Sequence, residues 1–432
     1  MAKLATSANL NYSFQPRTSA PPSAGPVQSQ SKSGSKSIPL VSLLGVATAG
    51  LCAYLNLYTT QPLLPSLSQA FHATRGEVSL TVSATTLAVA ISAPFIGIFA
   101  DRLGRKRVIV PAMFLSALPT LMAALSHSLP ELIFWRFVQG LILPAIFAIS
   151  MAYVVEEWAE VGLGLAMTVY VTGNVLGGFT GRLVSGLAAA HGGWHYSFEV
   201  LAVLDLVCAC IALFLLPAST HFKAGVHSHP HTTVWQSLSA QLKSPALLGT
   251  FVVGMNILFS LVALFTYVTF HLAAPPFSLG IETLSWLFSV YLFGAVVTPQ
   301  TGKLIDKLGL RKALCGAMLI SALSNYLTLI PNLVAVLCGL ALSSGALFIC
   351  QSATTSSLRQ HAVTGTSSAA GLYVCFYYIG GSLGGYLPSL AWNFMSGGWP
   401  MCVALISGMQ LVALVTALAL WRKTPQQADS TR

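Results

Sequence analysis

Apolar stretches alternate with short polar ones from residue 39 to residue 421. Most of the apolar stretches last about 20 residues without strict alternation, which predicts membrane-spanning helices and argues against barrel strands of about 10 alternating residues. We therefore expect an all-α membrane protein with twelve transmembrane helices. The predicted spans lie approximately at 39–61, 77–100, 108–126, 131–154, 163–189, 196–217, 246–271, 282–304, 313–330, 333–356, 363–391 and 400–421.

The composition of the 432 residues also indicates a membrane protein, because 55% are hydrophobic and only 7% are charged, against about 25% charged in soluble domains. The eight cysteines lie in or beside apolar stretches and form no CxxC pair, which is typical of small buried side chains and not of disulfides or a metal site. We expect no metal and no cofactor. The absence of a nucleotide-binding loop or a nucleophile triad argues against an enzyme.

Polar segments divide the chain into five parts. Residues 1–36 are rich in Ser, Pro, Gln and Lys without an acidic residue, which predicts a disordered cytoplasmic tail, with a cleaved transit peptide as the alternative. A six-helix bundle is predicted at 37–217, a cytoplasmic linker at 218–244, a second six-helix bundle at 245–421 and a second cytoplasmic tail at 422–432. We interpret the histidines of the linker as solvated side chains in preference to a metal site. These histidines are His221, His227, His229 and His231.

The basic residues predict the orientation of the spans. With the N-terminal tail inside, 18 of the 21 Lys and Arg residues fall in cytoplasmic segments, only Arg75 falls outside, and Arg136 and Arg182 lie within spans. Because positive residues accumulate on the cytoplasmic side, we expect both termini to be cytoplasmic. Topology thus accounts for the net charge of +10 without a nucleic-acid partner.

The two predicted bundles carry an internal repeat with an offset of 205 residues. The repeated positions are Gly97 and Gly302, Asp101 and Asp306, Gly104 and Gly309, and the triplets at 192–194 and 397–399. Two related bundles that flank a site near the bilayer midplane are the arrangement of many transporters.

The loop after the second span reads GIFADRLGRKR over residues 97–107, with a degenerate copy, GKLIDKLGLRK, at 302–312. This pattern resembles the signature loop of the major facilitator superfamily. The resemblance implies the major facilitator fold, with two pseudo-symmetric six-helix bundles, and a loop that acts as a conformational latch for the outward-open state. The latch residues implied are Gly97, Asp101, Arg102, Gly104, Arg105, Lys106, Asp306 and Gly309.

Arg136 lies in the sequence RFVQG of the fourth span, which resembles the family's RxxQG motif. The resemblance implies a buried arginine concerned with proton coupling. Its position about five residues from the external end also permits snorkelling to the surface or a purely structural pair.

Spaced glycines in the fifth and eleventh spans predict close helix packing. They are Gly173, Gly177, Gly178, Gly181, Gly380, Gly381 and Gly384. The fifth-span pattern is similar to the antiporter motif of exporters in the family, except that Gly178 stands at its Pro and Arg182 at its last Gly. With TTQPLLP at 59–65 and EEW at 156–158, the chain resembles the branch of YnfM-type inner-membrane permeases, which are efflux-like.

Asp205 is the only carboxylate deep inside a predicted span, where a charge is costly and indicates function. Arg182 lies at a similar depth, about 12 to 14 Å from the external end at 1.5 Å per residue. We therefore expect Arg182 and Asp205 to form a buried ion pair, with a proton carrier at Asp205 as the alternative.

Uncharged polar and aromatic side chains within the spans are candidates for the substrate path. They suit a neutral or cationic amphipathic solute better than a phosphate or dicarboxylate, which would call for several arginines in the cavity. The candidates are Asn56, Tyr58, Gln61, Gln139, Tyr170, Asn174, Asn256, Tyr267, Tyr373, Tyr377 and Tyr378.

These features predict a secondary transporter that exports a small organic solute in exchange for protons, as a monomer in a bacterial inner membrane. An uptake permease for a sugar or another metabolite is the first alternative. A non-transporting sensor or scaffold is the second, although no segment is long enough for the soluble domain that such a role requires.

Cysteine labelling tests the predicted orientation. In a variant without the eight native cysteines, single cysteines in the 1–36 tail, in the 218–244 linker and beyond residue 425 should react only with reagent on the cytoplasmic side. Reaction of any one of the three with external reagent would contradict the assignment of spans.

Overall fold

The computed structural model describes residues 38–159, 162–219, 241–361, 366–394 and 397–421. For residues 97–103, 295, 298–299 and 366–368 it describes the backbone alone. The two predicted tails and the four linker histidines lie outside the described residues. Within the described part, the regular elements are thirteen α-helices and two short 3-10 helices, which confirms the predicted all-α class.

The first half of the described chain contains helices α1 to α6. Its first span is interrupted, because α1 is followed by turns, a 3-10 helix at Gln61–Leu63 and the short α2. The bounds are α1 Leu40–Leu55, α2 Leu64–Ala70, α3 Arg75–Leu103, α4 Arg105–Ala124, α5 Leu129–Glu157 and α6 Leu163–Leu215.

The second half contains helices α7 to α13. Its second span is also interrupted, by a 3-10 helix at Phe288–Val290 between α8 and α9. The bounds are α7 Pro245–Ala273, α8 Ile281–Leu287, α9 Tyr291–Leu308, α10 Leu310–Leu327, α11 Leu333–His361, α12 Thr366–Asn393 and α13 Gly398–Leu420.

Seven of the described helices are each long and apolar enough to cross a membrane: α3, α4, α5, α6, α7, α11 and α13. At 53 residues, α6 is long enough for two crossings at 1.5 Å per residue. Together with α10, α12 and the interrupted pairs α1–α2 and α8–α9, these helices supply the twelve predicted spans.

The chain reverses direction within α6 at a single residue, Gly193. Its φ of 78° and ψ of 177° interrupt the helical backbone, in a region that glycine enters without steric cost. The hydroxyl of Ser197 donates to that of Ser185 at 2.9 Å, whereas twelve residues of straight helix would separate the two by about 18 Å. The loop expected at residues 190–195, between the fifth and sixth spans, is therefore replaced by a one-residue reversal.

The spaced glycines bring helix backbones into contact. A Cβ at Gly177 or Gly181 would overlap the carbonyl oxygen of Leu51 or Leu55 on α1, and Gly173 lies in the same way against Ala47. In the second half, Gly380 and Gly384 of α12 lie against the backbone of α7 at Met255 and Phe259. Gly178 and Gly381 lie against side chains and not against the backbone of a neighbouring helix. A Cβ at Gly178 would first meet the guanidinium of Arg182, and one at Gly381 would meet Leu258.

The repeat is visible in the geometry of the two halves. Gly104 and Gly309 precede α4 and α10 with nearly the same backbone angles, φ 90° and 81°. Shortly after these glycines, Lys106 Nζ donates to the carbonyl oxygen of Leu213 at 2.9 Å, and Arg311 Nη2 donates to that of Leu418 at 2.6 Å. The two donors are 205 residues apart, and so are the two acceptors, which is the offset of the repeat. The halves therefore share one architecture.

The two halves contact each other near the start of α3, at the end of the bundle opposite to the start of α1. The Ser83 hydroxyl on α3 donates to the carbonyl oxygen of Ser382 on α12 at 2.8 Å. Gly186 of α6 packs on Ser285 of α8. This end of the bundle, which the sequence predicts to be external, is closed by these contacts.

Substitution of Gly181 tests the role of backbone contact between α1 and α6. Gly181→Ala should lower the free energy of unfolding by about 1 to 3 kcal/mol, because the new methyl group has no space beside the Leu55 carbonyl. Thermal unfolding in detergent measures the change. The control is Gly164→Ala on the same helix, where no atom other than the local helix backbone lies within 4 Å of the new methyl group and stability should hold or rise. Equal stability of the two variants would contradict the close packing.

Candidate functional site

The first span leaves the α-helical pattern at residues 56–61, which we call the break segment. Pro62 follows it directly and Pro65 lies three residues further on, and because proline has no N–H, neither residue can donate an α-helical hydrogen bond back into this segment. Side chains from other helices bond two of its carbonyl groups. Arg136 Nη2 donates to the Leu57 oxygen at 3.1 Å, and the Ser185 hydroxyl donates to the Thr59 oxygen at 2.7 Å.

Asp205 of α6 is fully buried beside the break segment. The Asn56 amide nitrogen donates to both of its carboxylate oxygens, at 2.7 and 2.6 Å. The Thr120 hydroxyl lies 3.0 Å from Oδ2, and the Cys52 thiol approaches Oδ1 at 3.9 Å. Each of these direct partners is uncharged.

Arg136 of α5 is also fully buried, so it does not snorkel to the surface. Its guanidinium donates to the carbonyl oxygen of Leu57 and to the side-chain oxygen of Gln139. Gln139 in turn donates to the Thr120 hydroxyl at 2.6 Å. Two uncharged side chains therefore connect Arg136 to Asp205. We call Asn56, Thr120, Arg136, Gln139 and Asp205 the charged network.

Arg182 belongs to a different site, and the expected ion pair between Arg182 and Asp205 is wrong. Arg182 Nε donates to the Gln61 side-chain oxygen at 2.7 Å, and Nη1 donates to the Gly178 carbonyl oxygen at 2.6 Å. Three aromatic rings surround the guanidinium, with centroids 4.8 Å away for Tyr58 and 5.2 Å away for both Phe288 and Tyr291. Depth along the two helices is similar, but their side chains point toward different neighbours.

A small cavity between the halves begins at Arg182. It has aromatic and apolar walls, and Arg182 is the one charged side chain among the described residues that line it. The first half contributes Tyr54, Tyr58, Gln61 and Arg182, and the second half contributes Leu258, Leu261, Val262, Phe265, Tyr291, Tyr377 and Tyr378. We call it the central cavity.

The central cavity contains four of the predicted path residues: Tyr58, Gln61, Tyr377 and Tyr378. Sequence reasoning missed Tyr54 and Tyr291. Tyr54 lies four residues before Tyr58, a spacing that places both on one helix face and could have indicated it. The interrupted span that positions Tyr291 leaves no comparable pattern in the sequence.

Other predicted path residues bond elsewhere. Asn56 and Gln139 belong to the charged network. The Tyr170 hydroxyl donates to the carbonyl oxygen of Phe147 at 2.6 Å, and the Asn256 amide donates to that of Met409 at 2.7 Å. The Tyr267 and Tyr373 hydroxyls donate to the oxygens of Gly385 and Gln351, while Asn174 lies beside Gly50. None of these side chains lines the central cavity, and all except Asn174 form hydrogen bonds that connect helices.

A neutral counterpart of the charged network lies at the repeat-related place in the second half. Asn325 and Gln410, which the offset of the repeat relates to Thr120 and Asp205, bond each other at 3.2 Å. Gln410 also donates to Ser321 at 2.9 Å, and Ser343 donates to Asn325 at 2.9 Å. The geometry of the repeat thus provides a buried polar cluster in each half, and only the first-half cluster contains charged residues.

The described part of the latch makes contacts within the first half. Arg105 forms a two-pronged ion pair with Glu156, with Nη2 to Oε1 at 2.6 Å and Nε to Oε2 at 3.0 Å. Asp306 is exposed. Only the backbone is described for Gly97, Asp101 and Arg102, so the latch role stays a prediction.

Comparison with known proteins identifies a family that matches this chain. The model of the Major Facilitator Superfamily matches residues 46–281. The chain is 33% identical to the uncharacterized MFS-type transporter YybF of Bacillus subtilis over 85% of this chain and 90% of that one. It is 30% identical to the inner membrane transport protein YnfM of Escherichia coli over 88% and 90%. The solved structure of the nucleoside transporter NupG superposes with a TM-score of 0.75 at 14% identity, covering 88% of this chain and all of that one. The predicted twelve-helix fold is confirmed.

Removing Gln139 tests the connection between Arg136 and Asp205. Gln139→Leu should lower the free energy of unfolding by about 1 to 3 kcal/mol, because buried donors and acceptors on Arg136 and Thr120 lose their partner. The matched control is Ser344→Ala at the repeat-related position. Ser344 is buried and bonds only to its own helix, at Ala341, so its loss should cost about 1 kcal/mol or less. Thermal unfolding compares the two, and a more harmful Ser344→Ala would contradict the importance of the connection.

Proposed function

Because the chain belongs to the Major Facilitator Superfamily, a family of membrane transporters, we propose that it exports a small organic solute in exchange for protons, as a monomer in a bacterial inner membrane. Its bacterial relatives are named as transporters. The proposal adds to this a proton site, an alternating-access mechanism and a direction.

The observation that carries proton coupling is Asp205, a carboxylate buried in a membrane span whose direct partners are uncharged. A structural carboxylate in such a place is normally paired with a cation. Here Arg136 is held two side chains away, through Gln139 and Thr120. This separation supports a carboxylate that can exist in both protonation states.

Asn56 can accommodate either protonation state of Asp205. Its amide nitrogen bonds the ionised carboxylate, whereas its amide oxygen is buried without a partner. A protonated carboxyl group donates a hydrogen bond, and a flip of the amide, which exchanges its nitrogen and oxygen, would present the oxygen to receive it. Asn56 then alternates between donor and acceptor as the proton arrives and leaves.

Alternating access requires that the halves separate at the closed end. Their contacts there include two hydrogen bonds: Gln61 donates to Thr266 at 3.0 Å, and Ser83 donates to Ser382 at 2.8 Å. Hydrogen bonds of this kind contribute about 1 kcal/mol each, so they can break and reform during a transport cycle. Gln61 and Thr266 are 205 residues apart in the sequence, which is the offset of the repeat. Their contact therefore joins equivalent positions of the two halves.

Export is the direction favoured by the resemblance of the fifth-span glycines to the antiporter motif. A deletion strain distinguishes the directions. Export predicts lower tolerance to a toxic solute, and complementation with the intact gene should restore it. Lost growth on a nutrient would instead support uptake.

Asp205→Asn tests the proton site in proteoliposomes. The variant should let the solute equilibrate across the membrane but should no longer accumulate it in response to a pH gradient, because the amide cannot take up the proton. Counterflow measures equilibration, and flux under an imposed pH gradient measures coupling.

The control for Asp205→Asn is Gln410→Asn, which shortens the repeat-related side chain in the neutral cluster. This variant should respond to the pH gradient as the unaltered protein does. Unchanged proton-driven transport by a stable Asp205→Asn protein would rule out Asp205 as the proton carrier.

A further inference from the structure

The central cavity contains a positive charge without a balancing negative one. Arg182 is 4% exposed, and no acidic side chain stands among the described residues that line the cavity. Asp205 is the chain's one acidic residue deep within a span, and its bonds lie in the charged network. The aromatic rings around Arg182 attract the cation through their electron-rich faces, but they leave the net charge of the cavity positive.

The guanidinium of Arg182 retains hydrogen-bonding capacity. A guanidinium has five N–H donors, and the bonds from Arg182 to Gln61 and Gly178 use one on Nε and one on Nη1. Donors on the two terminal nitrogens remain. Their parallel arrangement matches the two oxygens of a carboxylate, which bind an arginine in a bidentate manner.

The walls of the central cavity specify the rest of a ligand. Tyr54, Tyr58, Tyr377 and Tyr378 supply flat aromatic faces, and Leu261 and Phe265 supply apolar surface. Flat apolar bodies pack favourably against such rings. A body with several charges would find no second charged partner among these side chains.

We propose that the central cavity binds an organic monoanion, a carboxylate carried on a planar aromatic or similarly apolar body, and that Arg182 binds its acid group. This substrate class rests on the proposed transport function and replaces the neutral or cationic solute expected from the sequence. The ligand supplies the negative charge that the cavity lacks.

Anion binding at Arg182 also acts on the contact between the halves. Gln61 bonds Arg182 through its amide oxygen and Thr266 through its amide nitrogen. A carboxylate on the two terminal nitrogens draws the guanidinium toward itself, because it is a stronger acceptor than an amide is, and this displacement strains the Nε bond to Gln61. Release of Gln61 weakens its bond to Thr266 at the closed end.

Aromatic ligands of different charge test the proposal. Benzoate, benzamide and benzylammonium share one ring and carry charges of −1, 0 and +1, and naphthalene-2-carboxylate with its amide extends the series in size. Isothermal titration calorimetry on the full-length protein in detergent should show an acid of either size binding about tenfold or more tightly than its amide, with the ammonium weakest. Equal or tighter binding of the amides or the ammonium, or no binding by any of the five, overturns the proposal.

Arg182→Gln assigns this preference to one residue. The variant should reduce the difference between acid and amide to less than about threefold, because the remaining donor is neutral. Arg182→Lys keeps the charge and should retain part of the preference while losing the bidentate contribution. It serves as the readout if Arg182→Gln unfolds. Undiminished preference for the acids in a folded variant of either kind contradicts the assignment.

The matched control is Arg75→Gln. Arg75 also lies over aromatic rings, those of Trp392 and Phe270, but it is exposed and lies outside the central cavity. Its loss should change acid binding less than twofold, whereas a larger loss of acid binding than that of Arg182→Gln would place the anion elsewhere.

Flux under a pH gradient separates this proposal from the proposed function. Coupled transport of neutral solutes alone would overturn only the substrate class. Acids that bind but are never driven by protons would overturn only the proposed coupling.

Discussion

The break segment is where the membrane interior of the protein is organised. A bilayer offers no water to a backbone that leaves the helical pattern, so each exposed carbonyl there must find a partner from the protein. Arg136 and Ser185 bond the carbonyl groups of this segment, and its two ends, Asn56 and Gln61, hold Asp205 and Arg182. The three charged side chains deep within the described spans therefore all depend on one short segment of the first span. The close approach of α1 and α6 holds that segment in place.

The internal repeat separates what the fold requires from what the first half adds. In the second half, Asn325 and Gln410 satisfy one another without a charge, which shows that the architecture can fill this position with neutral groups. Burying Asp205 at the equivalent place carries a desolvation cost that neutral side chains avoid. A charge kept in spite of that cost, in one of two equivalent positions, is explained better by a role in transport than by stability.

Much of the architecture could be predicted from the sequence, because the length of apolar stretches, the basic loops and the repeat all depend on spacing along the chain. The partner of Arg182 could not be predicted from spacing. Depth in the membrane follows from residue number, but the direction of a side chain follows from helix rotation, and the reversal at Gly193 sets the rotation of the helix that carries Asp205 relative to the one that carries Arg182. The central cavity was only partly predictable for the same reason, since an interrupted span positions Tyr291.

The proposed proton site and the proposed anion site are separate, so coupling between them needs an element that both sites can bias. Helix α6 carries both residues but is a poor candidate, because the reversal at Gly193 places Arg182 and Asp205 on two separate helical arms. The break segment meets the requirement. Protonation of Asp205 changes the bonding of Asn56 at one end, and an anion on Arg182 changes that of Gln61 at the other. Gln61 also reaches the second half through Thr266, so in the proposed mechanism both events act on a contact between the halves.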